Sequence, residues 1–388
     1  MEKFALLIVL FAALATPLIT AKFHLTRMPT AISEIIMGII IGKTGLNIVH
    51  MGTSVQYIAN LGVIMLIFLG GMEIDFSLFN PQKDPTVYSP LKPSIWGFLA
   101  IFVMSIILSL ILYITGIFTQ LILAVILLST IAMGVIISLL KEVDLVKTNY
   151  GQTILLTSAL GEFIPLMALT VYSAVQQGHF LSVLGLPAIF IIAIILLYRF
   201  NRVYIFFDKI DKATTQLDIR LAFFLIFTLV TFAEQIGAES ILGAFLAGAV
   251  MKLLKPKADT QEKLSSMGYG FFIPVFFITT GVKLNLRQLV TNQDALMLIP
   301  IFLIAFVLSK SLVYFAFKKQ FGNHYALAAT ILTSTTITLV LPILEVGRNL
   351  KLINSAQSSA ITLAAIITCL VCPIIFNRII HQKVEITK

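Results

Sequence analysis

The sequence predicts an all-α polytopic membrane protein of about thirteen transmembrane helices, and three observations predict it. The 388 residues are 59% hydrophobic and only 12% charged, with a mean hydropathy of +1.01, whereas a water-soluble chain is about a quarter charged. Apolar runs long enough to cross a bilayer core as helices of about 20 residues recur from one end of the chain to the other. The basic residues are divided unevenly between alternate loops, as positive-inside topology requires.

In order, the predicted spans are 3–21, 30–49, 54–72, 94–116, 119–140, 150–176, 180–198, 219–236, 239–254, 266–282, 293–316, 324–344 and 354–377, each set by its apolar run. The first follows Lys3 as a secretory leader would, but its small residues Ala12, Ala13 and Ala15 lie inside the apolar run instead of after it, so it is retained as a helix. The longest polar segments, 74–94 and 199–220, are too short for a second domain. The latter ends in FDKIDKATTQLDIR and reads either as an interfacial stretch joining two halves or as a plain hydrated linker. An odd number of helices puts the termini on opposite sides. Loops after odd-numbered helices, with the C-terminus, hold twenty of the 27 Lys and Arg, while the N-terminus and even loops hold Lys3, Lys283, Arg287, Arg348 and Lys351. The expected orientation is therefore N-terminus outside and C-terminus cytoplasmic, in a multi-pass cell-membrane protein surrounded by lipid bilayer.

The net charge of +9 does not mark a nucleic-acid binder, because the basic residues are spread over the loops and not gathered in a patch interleaved with aromatics. Cys369 and Cys372 have CxxC spacing, but with no second pair and no nearby His ordinary packing in the last helix is expected. His24, His50, His179, His324 and His381 fall at predicted helix ends, and none pairs in sequence with a nucleophile and an orienting acid. The chain is expected not to be an enzyme and to need no cofactor.

Glu162 sits near the middle of the apolar stretch 154–171. It lies twelve residues into its span, roughly 18 Å at 1.5 Å per residue, and a carboxylate at that depth points to an ion or proton site. Other acids rank lower. Glu34 and Glu73 lie near helix ends, Glu234, Glu239 and Glu345 near expected extracellular turns, and Asp75 at the interface, where a terminal carboxylate can reach water.

Four ordered segments, PTAISEIIMGIIIGKTGL, LGVIMLIFLGGMEIDFSLF, ESILGAFLAGAVM and FFIPVFFITTGVKLNL, resemble the membrane domain of the monovalent cation:proton antiporter-2 family, the Kef-type and NapA-type exchangers. The resemblance covers nearly the whole chain. It implies an NhaA/NapA-like fold of thirteen helices in two inverted repeats, working as a homodimer. The dimerisation part is expected mainly in 1–93 and 219–290, and the mobile core transport part mainly in 94–198 and 291–380. No nucleotide-binding domain is expected after the last helix.

In such repeats the broken, crossing helices carry Gly, Pro or hydroxyl-rich interruptions at corresponding places. Ser129, Thr130 and Gly134 in the fifth span fit this, as does the run Thr333, Ser334, Thr335, Thr336 and Thr338 in the twelfth. Helix packing with hydroxyls bonded back to their own carbonyls is the alternative for such a run. The family's sixth helix carries an acidic pair whose second member binds the ion. Here that place reads Gly161-Glu162, so Glu162 keeps the ion-binding role and the first acid is gone. Lys310, within LSKSL, matches the basic residue of the eleventh helix. The family's Gly/Arg/Glu cluster in the twelfth helix is replaced by Thr336-Ile337-Thr338, and the usual Thr-Ser of the fifth-helix break by Ile131-Ala132.

The resemblance thus implies a Na⁺ or K⁺/H⁺ antiporter working by alternating access. Glu162 would hold the proton or the alkali cation, Lys310 would be its counter-charge, and Ser129, Thr130, Gly134, Ser158, Gly161, Thr335 and Thr336 would support the site. The alternatives are a transport-inactive membrane sensor built on the same fold and a Kef-type K⁺ efflux system with a separate regulatory subunit as partner.

Overall fold

The computed structural model describes residues 2–23, 29–49, 51–73, 90–178, 188–199, 215–236, 238–284 and 286–386. His24, His50, His179, Asp75, the side chain of His381, most of the two polar segments and the start of the seventh span lie outside the described residues. Every regular element within them is helical. The helices are α1 (Glu2–Lys22), α2 (Thr30–Ile41), α3 (Thr53–Glu73), α4 (Leu91–Ile114), α5 (Leu121–Ser129), α6 (Met133–Glu142) and α7 (Asn149–Gln176). They continue with α8 (Ala188–Arg199), α9 (Leu217–Gln235), α10 (Ser240–Leu253), α11 (Ala258–Met267), α12 (Ile273–Lys283) and α13 (Leu286–Thr291). The last are α14 (Gln293–Leu308), α15 (Val313–Thr333), α16 (Ile337–Asn349) and α17 (Ser355–Ile386).

The apolar character of these helices is partitioned by size. On α1, Phe4, Leu7, Phe11, Leu14 and Leu18 are all exposed, while Ala5, Val9, Ala12 and Thr16 on the opposite face are buried. Small residues inward and large ones outward is the pattern of a helix solvated by lipid. Among the described residues, eight spans are long and apolar enough to cross a membrane, and Thr30–Ile41, Ala188–Arg199, Ser240–Leu253 and Gln293–Leu308 are shorter apolar helices.

Several expected spans are divided or displaced. The second, expected to run to 49, ends at Ile41, where Gly42 turns to an extended conformation and Asn47 takes a φ of 54°. The tenth begins earlier than expected, because the polar α11 leads through a π-helical turn at 268–272 directly into α12. Its polarity hid it from an apolar-run criterion. The eleventh is interrupted after Leu308 by a tight turn at 309–312, and α15 is kinked at Gly322, whose φ of 79° only glycine adopts easily.

Contacts group the chain into two compact units, 1–75 with 170–284 and 76–169 with 285–388, so the division passes through α7. In the first unit, α3 packs on α10 and α12, α2 on α12, and α9 on α10. The backbones come close at glycines. A Cβ on Gly248 would stand 2.0 Å from the Phe68 carbonyl oxygen, and one on Gly281 would stand 2.1 Å from that of Ile35. In the second unit, α17 packs against α14, α15 and α16, and α4 against α5 and α15, around a core that includes Ile131, Ile136, Ile154, Phe317, Leu332 and Phe376.

Because the obstacle at Gly248 is backbone and cannot swing aside, Gly248→Ala is expected to lower stability by roughly 1–3 kcal/mol. Gly270→Ala, where an added Cβ meets nothing within 4 Å, is expected to stay within about 0.5 kcal/mol of the parent. Thermal unfolding in detergent compares the two, and equal midpoints would remove the close-packing account.

Candidate ion-binding site

Within the second unit the fifth and twelfth spans are also interrupted, between α5 and α6 at 130–132 and between α15 and α16 at 334–336. The interruptions touch each other. Ala132 N–H donates to the Thr335 carbonyl at 2.8 Å, and the hydroxyls of Thr130 and Thr336 share a hydrogen bond of 2.6 Å. Each break leaves helix-end amides and carbonyls unpaired, and in a medium without water these must be met by the protein itself.

Glu162, on α7, meets one of them. It is 4% exposed, and its Oε1 accepts the Met133 N–H at 3.1 Å, at the first residue of α6. A helix N-terminus carries partial positive charge, so this half-helix favours an anion where Glu162 sits. The neighbouring Gly161 carbonyl accepts Ile131 N–H at 3.2 Å. A Cβ at 161 would lie 2.6 Å from Ile131 Cδ1 and Cγ1. The two departures from the family pattern, glycine for the first acid and Ile131-Ala132 for Thr-Ser, therefore meet in space: the isoleucine fills the volume that a side chain at 161 would occupy.

Lys310 lies in the turn that interrupts the eleventh span, where i to i−3 bonds such as Lys310 N–H to Val307 O (3.2 Å) tighten the chain. Its ammonium is fully buried, donates to the Leu128 carbonyl at 2.7 Å and stands 5.7 Å from the Phe306 ring. Ser309 Oγ donates to the same carbonyl at 3.0 Å. Leu128 is in the last turn of α5, where partial negative charge accumulates. Glu162 and Lys310 thus address opposite dipole ends of the same broken helix.

The supporting residues separate into two groups. Thr130 and Thr336 cross between the breaks. Ser129, Ser158, Thr333, Ser334 and Thr335 turn their hydroxyls back to carbonyls of their own helices, at 3.0, 2.8, 2.9, 2.9 and 2.9 Å, so Thr335 reaches across through its carbonyl alone. Gly134 is the second residue of α6. Sequence reasoning missed the Met133 amide and the Leu128 carbonyl, since backbone groups carry no residue signal. Cys369 is buried in the last helix, as a packing residue would be, with its sulfur near the backbone N–H groups of Thr336 and Ile337 at the start of α16.

In the first unit, Glu34 is buried at 5% exposure rather than hydrated. Glu239 accepts a hydrogen bond from Ser173, which in turn accepts one from Gln177 Nε2 at 2.9 Å. No group of three or more His, Cys, Asp or Glu that could hold a metal ion occurs among the described residues. What gathers around 130–133 and 336 is one carboxylate with hydroxyl and carbonyl oxygens, a donor set for a hard cation and not for a soft metal.

Comparison with known proteins gives a consistent result. Residues 8–382 match the family described as sodium/hydrogen exchanger, transmembrane. The chain is 36% identical to YjbQ of Bacillus subtilis over 98% of its own length and spans 63% of that protein. It is 25% identical to a Na⁺/H⁺ antiporter of Enterococcus hirae, covering 92% of this chain and 94% of that one. Its fold is similar to that of the sodium proton antiporter MjNhaP1 from Methanocaldococcus jannaschii, with a TM-score of 0.63 at 13% identity over 96% of each chain.

The shared volume at 161 and 131 makes a double-mutant cycle informative. Gly161→Ala and Ile131→Ala are each expected to destabilise, and Ile131→Ala should make room for the added methyl, giving a favourable coupling of at least about 0.5 kcal/mol. Unfolding midpoints of the four proteins measure it. Strictly additive costs would show that the two positions do not compete for space.

Proposed function

The chain belongs to the sodium/hydrogen exchanger family, and on that premise we propose that it exchanges Na⁺ or K⁺ for H⁺ across the cell membrane, with Glu162 holding cation and proton in turn. The observation that carries this is the buried Glu162 carboxylate at the N-terminus of α6, beside a break that brings the Thr130 and Thr336 hydroxyls together. A proton and a dehydrated alkali cation compete for one carboxylate, and neutral oxygens complete the coordination of a hard ion. When the cation leaves, a proton neutralises Glu162 and is carried back on the return step, while the Lys310 ammonium keeps its bond to the Leu128 carbonyl. With one carboxylate and no acidic neighbour, the cycle moves one cation against one proton.

The unit that holds Glu162 is proposed to rock against the other, which forms the dimer contact in the bilayer, with the N-terminus outside. Alternating access needs a site that one body can carry past a seal formed by another. The retained carboxylate favours this exchanger over a transport-inactive sensor.

Reconstituted vesicles reporting internal pH are expected to respond to added Na⁺ or K⁺ with the parent protein and to fall silent with Glu162→Gln, while folding and insertion persist. An imposed membrane potential at equal pH and cation concentration should move no protons. Full transport by a folded Gln variant would end the role assigned to Glu162, and potential-driven transport would end the one-for-one cycle.

The hydroxyl geometry adds a sharper expectation. Thr336→Val removes the hydroxyl that crosses to Thr130 and should raise the cation concentration for half-maximal exchange several-fold, whereas Thr335→Val removes one that only bonds back to Leu332 and should change it little. Equal effects in the same assay would show that the crossing pair does not serve the ion.

A further inference from the structure

At the other end of α16 from the ion site, the turn into α17 encloses an open cavity of about 510 Å³ lined by Arg348, Lys351, Asn354, Ser355 and Gln357, among others. We propose that this cavity binds a phosphate-bearing anion. The inference rests on what the lining can offer and does not depend on the exchange reading.

Arg348 and Lys351 are two of the five basic residues on the side of the chain expected to face outward, where basic residues are scarce, yet both come to one cavity. No carboxylate lines it. Arg348 is half-buried, and its Nε is buried without a hydrogen-bond partner, while the residue lines the cavity. Lys351 is exposed at a backbone φ of 57°, a conformation unusual for a side chain other than glycine.

The polar residues add donors, with the Ser355 hydroxyl able to donate or accept. Asn354 Oδ1 accepts Gln357 N–H at 2.8 Å and Gln357 Oε1 accepts Asn354 N–H at 3.0 Å. This reciprocal cap occupies both carboxamide oxygens and leaves their NH₂ groups for a ligand. In the first turn of the 32-residue α17, Asn354 holds the N–H groups of Gln357 and Ser358, and those of Ser355 and Ala356 have no intrahelical acceptor. A guanidinium fork, an ammonium, carboxamide NH₂ groups and helix N-terminal amides together select a tetrahedral oxyanion over a cation or a neutral polar group. The phosphate could come from an anionic lipid headgroup at the membrane surface or from free orthophosphate, which share this chemistry.

The test is thermal unfolding of the full chain in detergent, titrated with inorganic phosphate against chloride at matched ionic strength, and with phosphatidylglycerol against phosphatidylcholine. A saturable rise in midpoint is expected for the parent, with apparent affinity at least tenfold weaker in Arg348→Gln/Lys351→Gln and unchanged in Lys283→Gln/Arg287→Gln, which removes two other basic residues of the same side. Should the first double variant fail to fold, the exposed Lys351→Gln alone should weaken the response several-fold. A response to phosphatidylglycerol alone identifies a lipid headgroup, and one to orthophosphate alone a soluble ion. No saturable rise with either, or a rise that survives loss of both side chains, overturns the proposal.

Discussion

The need to pair every backbone polar group away from water organises this structure. A continuous helix does so by itself, but a broken one strands amides and carbonyls where lipid cannot receive them. At the first break four successive amides find acceptors: Thr130 N–H in Leu127 O, Ile131 N–H in Gly161 O, Ala132 N–H in Thr335 O and Met133 N–H in Glu162 Oε1. Three of the four acceptors belong to other segments of the chain. The break is therefore a property of α7 and of the second interrupted helix as much as of the fifth span itself.

The same requirement places the charges. Glu162 meets the positive end of α6, and Lys310, with Ser309, meets the negative end of α5. A buried ion is costly unless opposite charge or dipoles offset it, and here each offset comes from half of one helix. The Met133 N–H thereby fixes the position of the carboxylate that is proposed to hold cation and proton in turn.

The first unit answers a different demand. Its helices approach at glycines until backbone meets backbone, as where Gly248 faces Phe68 and Gly281 faces Ile35. Close approach maximises dispersion contact where no hydrophobic force acts between helices in lipid, and it resists deformation. The second unit contains the interruptions at 130–132 and 334–336, the left-handed Gly322 and the tight turn at Lys310.

The sequence by itself determined that the chain is a bundle of membrane helices, because hydropathy reports solvent directly, and it singled out Glu162 because a carboxylate amid apolar residues is rare without function. The hydroxyl run from Thr333 to Thr338 overlaps the second interruption, although Thr333 ends α15 and Thr338 lies inside α16. It did not reveal which hydroxyl crosses: Thr335 and Thr336 are the same residue type, and only the path of the chain turns one back to Leu332 and the other to Thr130. Nor could it show that Gly161 and Ile131 fill one space, that Lys310 holds the Leu128 carbonyl, or that Cys369 stands at the start of α16. Those relations join residues about 30 to 180 positions apart, and half of each is a backbone group or a volume. A residue type states what a side chain is able to do, while its partner is decided by which segments the tertiary structure brings together.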